Sequence, residues 1–172
     1  MAPRPLARAA ASPSPAPGPG DLDRATEAAM VASRALLGVV AVSLQPVLDK
    51  VTVPQFRALV LLDTLGPSRT GALAERLGIH QSTFSRTADR LVAAGLVRRL
   101  PNPNSRREVL VSLTASGRRL VTRVMQRRTE HIRAALEPLT PQQRRTVLEG
   151  MQLLAVALDE PGYEAAAAQI GA

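Results

Sequence analysis

Apolar residues recur along this chain at the three- and four-residue spacing of amphipathic helices, interrupted once by a short alternating region. The first helical pattern runs from Asp21 to about Pro46, with Ala25, Ala28, Ala32, Ala35, Leu36, Val39 and Val40 along one stripe. Asp21, Asp23 and Glu27 fall in its first turns, where a helix N-terminus favours negative charge. Its second half, LLGVVAVSL, has so few polar breaks that it is expected to be covered from more than one side. Thr52-Val53-Pro54-Gln55 has the form of a capping box, so a second helix is expected from Val53 to the Gly66-Pro67 break, with Phe56, Leu59, Val60 and Leu62 inward. Thr70 to Leu77 reads as a short third helix with Leu73, Ala74 and Leu77 inward, closed by Gly78 in a left-handed cap. A fourth helix follows three residues later, Gln81 to Ala94. Phe84, Ala88, Leu91, Val92 and Gly95 form its inner stripe, and Gln81, Ser82, Ser85, Arg86, Asp89 and Arg90 lie on the opposite arc.

The pattern then changes period. Leu96 to Leu100 and Glu108 to Leu113 read as two strands, separated by a long polar turn that carries Arg106 and Arg107. Helical spacing resumes after Thr114, a candidate cap, for a fifth helix over Ala115 to Leu136. Thr140-Pro141-Gln142-Gln143 repeats the capping box for a sixth, whose Val147, Leu148, Met151, Leu154, Ala155 and Leu158 make a broad apolar face. The expected organisation is an Ala/Pro-rich disordered tail (1–20), a single domain (21–158) and a C-terminal tail (159–172). The fold class is mainly α: a winged helix-turn-helix over 53–113, made of six helices and a small β-hairpin wing counted with three outer helices, 21–46, 115–136 and 140–158. Those outer helices are too apolar to stand in water. A second subunit packed against them forms a dimer interface; an intramolecular bundle is the alternative.

Composition narrows the partners. The 22 basic residues against 14 acidic ones include only one lysine, Lys50, and Ser68 to Arg107 holds eight arginines against Glu75 and Asp89, a local charge of +6. Arginine suits bidentate contacts to phosphate and guanine, so double-stranded DNA is the expected partner. The chain has no Cys, which excludes disulfides and thiol chemistry. No apolar run approaches the ~18 residues of a membrane span, and the N-terminal stretch lacks the apolar centre of a signal peptide. A cytoplasmic, nucleoid-associated protein with no membrane contact is expected. The two histidines, His80 and His131, have no carboxylate cluster, phosphate loop or metal-ligand spacing near them, so neither catalysis nor a cofactor or metal is expected.

The outer arc of the fourth helix has the chemistry of groove readout: Gln pairs with adenine, Arg with guanine, and Ser with either. The DNA-contacting residues are therefore taken to be Gln81, Ser82, Thr83, Ser85, Arg86 and Arg90, with Arg106 and Arg107 on the wing. The stretch TGALAERLGIHQSTFSRTADRLVAAGLVRRLPNPNSRREVLVSLTASG closely resembles the MarR family of bacterial transcriptional regulators. The likeness rests on Asp89-Arg90-Leu91, the A-G-L-V that follows, the P-N-P-N turn, the Arg pair and the L-T-x-x-G that opens the fifth helix, and it extends from about residue 25 to 158. The resemblance implies a homodimer on a pseudo-palindromic operator, with the fourth helix in the major groove and Arg107 reaching the minor groove. It also implies repression of nearby genes, relieved by a small aromatic or phenolic effector. Such an effector would lie where the first, second and fifth helices meet the winged helix, which nominates Leu37, Phe56, Leu59 and His131 as ligand-binding residues. Two features depart from the family pattern. Ser105 stands where an Asp usually precedes the wing's basic pair, and Arg69 and Ala72 stand where a Thr-x-x-Glu box usually opens the third helix, leaving Ser68 or Thr70 to cap it. The rival reading is an architectural or protein-interaction module that coats DNA through charge alone, without sequence preference or ligand.

Overall fold

The computed structural model describes Gly18 and residues 20–160, apart from Asn104 and the side chains of Arg106 and Arg107. The tails expected over 1–20 and 159–172 therefore lie almost wholly outside the described residues. Six helices and three short strands follow in order: α1 (Asp21–Leu44), a 3-10 turn (Gln45–Val47), α2 (Val53–Leu65), β1 (Ser68–Arg69), α3 (Thr70–Arg76), α4 (Gln81–Ala93), β2 (Val97–Asn102), β3 (Ser105–Leu113), α5 (Ala115–Leu136) and α6 (Pro141–Ala157). The fold is the mainly helical winged helix-turn-helix that the pattern predicts.

Contacts divide the chain at Gly38 and Val39. The described residues up to Gly38 are essentially one exposed helix, begun by Asp21, whose carboxylate pairs with Arg24 and accepts from the Gly18 N–H at 2.6 Å. These bonds, Arg24's first, hold the Asp21 carboxyl below its usual pKa. With its 3-10 extension, Asp21–Val47 is long and apolar enough to span a membrane by length and composition alone. The sequence expectation missed this because it counted only uninterrupted runs, and Arg34 divides this one.

From Val39 onward, α2, α3 and α4 pack with the three-stranded sheet and the first half of α5 around one core. Phe84, Leu59, Leu73, Leu91, Val111 and Val121 are fully buried there. Local signals set the element ends. Thr52 and Thr140 each form a complete capping box, and the Thr114 hydroxyl accepts from the Gly117 N–H at 3.1 Å. Gly78 and Gly95, at φ +65° and +67°, close α3 and α4. In each case the N–H of the following residue bonds back five residues, Ile79 to Ala74 and Leu96 to Leu91, both at 3.0 Å.

The sheet has the order β1-β3-β2, antiparallel throughout. Two strand expectations are corrected. The hairpin strands run further out than 96–100 and 108–113, β2 to Asn102 and β3 from Ser105, where a long polar loop was expected. The two-residue β1 was not anticipated, because it is too short to show an alternating pattern. Two helix details also differ. Neither Ser68 nor Thr70 caps α3; Arg69 is the N-cap and makes no capping bond, while the Ser68 hydroxyl bonds Gly66 O at 3.0 Å. Val92, expected on the inner stripe, is partly exposed because α4 ends just beyond it.

The outer helices bury little. Only Ser43 and Leu44 of α1 are buried, and no residue of α6 is. In α5 the buried positions stop at Val124, and the half-buried Arg128 has an Nε with no hydrogen-bond partner.

Candidate nucleic-acid interface

The reading element is α4, presented by the α3–α4 turn. His80 is its N-cap: its Nδ1 accepts from the Ser82 N–H at 3.3 Å and meets the Ser82 hydroxyl at 2.8 Å. Gln81, Ser82 and Thr83 of this first turn are all exposed. Phe84, Ala88 and Leu91 lock the opposite face into the core, which fixes the rotation of the helix about its axis. The outward arc is therefore not free to turn.

Of the predicted contact residues, α4 brings Gln81, Ser82, Thr83, Ser85, Arg86 and Arg90 onto one surface, with Ser85 half-buried and the rest exposed. Arg86 and Arg90 make no ion pair or hydrogen bond with any described residue, so both guanidinium groups are available. The Ser85 hydroxyl donates to Gln81 O at 3.0 Å. The Gln81 amide lies over Gly71 of α3, where a Cβ would come 3.7 Å from its Oε1. Arg106 and Arg107 sit on β3 by their backbone; their side chains lie outside the described part.

The four nominated effector residues have different surroundings. Phe56 and Leu59 are core residues at 3% and 0% exposure, whereas Leu37 and His131 are exposed.

Two ion pairs that local sequence could not show connect the wing to the reading elements. Arg99 of β2 meets Asp89 of α4, Nη2 to Oδ1 at 2.5 Å, and Arg69 meets Glu108 of β3, Nη1 to Oε1 at 3.2 Å. Asp89, read from the sequence as part of the outer arc, is thus engaged by the wing. Asn102 Nδ2 donates to the other Glu108 oxygen at 2.9 Å. These groups border a polar cleft of about 690 Å³ between α3, α4 and the wing, lined among others by Arg69, Gln81, Ser85, Arg99 and Glu108. The cleft's own charges balance, Arg69 and Arg99 against Glu75 and Glu108, so the positive charge offered to a polyanion lies beside it, on Arg86 and Arg90 of α4.

The chain is similar to known proteins in sequence and in fold. The MarR family model matches residues 51–109. HTH-type transcriptional regulator YfiV of Bacillus subtilis is 29% identical over 113 residues, covering 66% of this chain and 71% of that protein. HTH-type transcriptional regulator Mb0904 of Mycobacterium bovis is 32% identical over 110 residues, 64% of this chain and 77% of that one. Among solved structures, RV1404 from Mycobacterium tuberculosis superposes with a TM-score of 0.75 at 38% identity, over 84% of this chain and 98% of its own.

Proposed function

The chain belongs to the MarR family of DNA-binding transcriptional regulators, and from that premise we propose that it is a homodimeric repressor of a pseudo-palindromic operator, released by a small hydrophobic or phenolic ligand. The observation that carries the reading is the α4 arc: two unpaired arginines, Arg86 and Arg90, beside exposed Gln81, Ser82 and Thr83 on a helix whose rotation is fixed by Phe84 and Leu91. In the proposed complex α4 lies in the major groove and reads base edges, and the backbone at Arg106 and Arg107 carries the wing to the flanking minor groove. The site is cytoplasmic and nucleoid-associated, needs no cofactor and performs no catalysis.

Dimerisation is supported by what a single copy leaves uncovered. On α1, Met30, Val31, Leu36, Leu37 and Val42 are exposed; on α6, Met151, Leu153, Leu154 and Val156 are, as is Leu158 just after it. Apolar faces of this extent are unfavourable in water, and a second subunit would cover them. It would also offer an acceptor to the stranded Arg128 Nε. The ligand proposal rests on the family likeness, with Phe56 and Leu59 of α2 as its candidate contacts. Phe56 and Leu59 are packed, so a ligand that reaches them must part the core, and its binding would couple to the position of the α3–α4 unit.

Selection of bound fragments from a random DNA pool tests the reading at matched salt. The regulator retains specific fragments under excess unrelated DNA; the rival architectural module retains none. A panel of phenolic acids and lipophilic compounds that neither raises the melting temperature nor releases the fragment would remove the ligand from the proposal.

A further inference from the structure

Glu108 is the only acidic residue between Asp89 and Glu130, in a segment rich in arginine. A lone carboxylate on a hairpin that faces DNA weakens binding by repulsion, so its presence there calls for a compensating role. Its two oxygens are both engaged: Oε1 by Arg69 and Oε2 by Asn102. Arg69 belongs to β1 and is the N-cap of α3; Asn102 ends β2, beside the irregularity between Pro101 and Asn102. Through one carboxylate, therefore, all three strands and the start of α3 are joined.

The place of this junction matters. Arg69 pairs in register with Leu110, and β1 ends there. From Val109 outward the hairpin has only its own two strands, Pro101 opposite Val109 and Asn102 opposite Ser105. A two-stranded ribbon twists and swings more readily than a three-stranded sheet. Glu108 stands just beyond Val109, the first position without β1 beside it.

We propose that Glu108 is the positioning residue of the wing: by holding Arg69 and Asn102 it sets the direction in which the hairpin carries the backbone of Arg106 and Arg107 to DNA. This rests on the DNA-reading role proposed above. It also links the two departures of this chain, since the arginine that replaces a capping threonine at 69 holds the acid that the wing lacks at Ser105.

The test has a sign that separates positioning from plain electrostatics. Removing a negative charge near DNA should by itself tighten binding; removing a wing anchor should loosen it. A duplex selected by the wild-type protein from a random pool serves as the probe, with affinity read by fluorescence anisotropy and contacts by hydroxyl-radical footprinting. Glu108→Ala is expected to bind about two- to fivefold more weakly at matched salt, the range for one exposed ion pair. It should keep the protection under α4 and lose that under the wing. The swapped pair Arg69→Glu with Glu108→Arg, which leaves the net charge unchanged, should restore the wing footprint. Tighter binding by Glu108→Ala, an unchanged wing footprint, or a swap that restores nothing would each overturn the proposal. A wild-type protein that selects no duplex would overturn the DNA-reading role and this inference with it.

Discussion

At the scale of single residues, the consequential ones differ in whether they face outward or inward. Arg90 is exposed and has no ion pair among the described residues, so Arg90→Ala leaves the core undisturbed. If it reads a base, operator affinity should fall by about 1–3 kcal/mol with specificity relaxed at one position. If it grips a phosphate, the loss should be uniform across sequences and the salt slope should drop by about 1. Anisotropy titrations at several salt concentrations distinguish these outcomes, and unchanged affinity would remove Arg90 from the interface. Gly117 faces the other way. A Cβ there would lie 2.1 Å from Leu96 O, a backbone atom that cannot swing aside. Gly117→Ala should therefore cost about 1–3 kcal/mol, lowering the melting temperature by several degrees, because α5 must lift from the strand that follows α4. An unaltered thermal transition would contradict this close packing.

At the scale of elements, the helix ends and the wing obey different kinds of control. α6 has no buried residue, so its helicity in a single copy depends largely on its local signals, the Thr140 capping box and Pro141 in the first turn. Thr140→Ala should cost about 1 kcal/mol and show as reduced helicity by circular dichroism before any loss of the core transition. The wing is instead controlled from outside itself, by Asp89 of α4 through Arg99 and by Arg69 through Glu108. Arg99→Ala should free Asp89 on the DNA-facing helix, adding an unpaired negative charge there. Operator binding should weaken by about two- to fivefold, with the melting temperature little changed because exposed pairs contribute little to stability. Equal loss of stability and affinity would instead indicate a general structural defect.

At the scale of the whole molecule, the exposed apolar residues of α1 and α6 make association the central question. Leu153 and Leu158 are 74% and 70% exposed in a single copy, far from what a leucine adopts in a finished surface. Replacing both with Glu leaves the core residues from Phe56 to Val124 untouched. The expected product is a folded monomer by sedimentation equilibrium, with operator affinity reduced at least a hundredfold because two half-sites are no longer held about 34 Å apart. A double variant that still sediments as the parent does would move the interface elsewhere.

What the sequence determined by itself was every feature with a local cause. Caps at Thr52, Thr114 and Thr140, the left-handed turn at Gly78, and the inward period of Phe84, Ala88 and Leu91 are each dictated by residues within a turn or two of one another, whereas Gly95, expected on the inner stripe of α4, is instead an exposed left-handed residue after it. The helix-turn-helix and the arginine-bearing arc could therefore be read before any coordinates. Only the tertiary structure decided what the wing is fastened to. Arg69 and Glu108 are 39 residues apart, and Ser68–Arg69 is too short to announce itself as a strand. Their meeting depends on which register β1 takes along β3, a consequence of the whole core closing, and no local pattern encodes it.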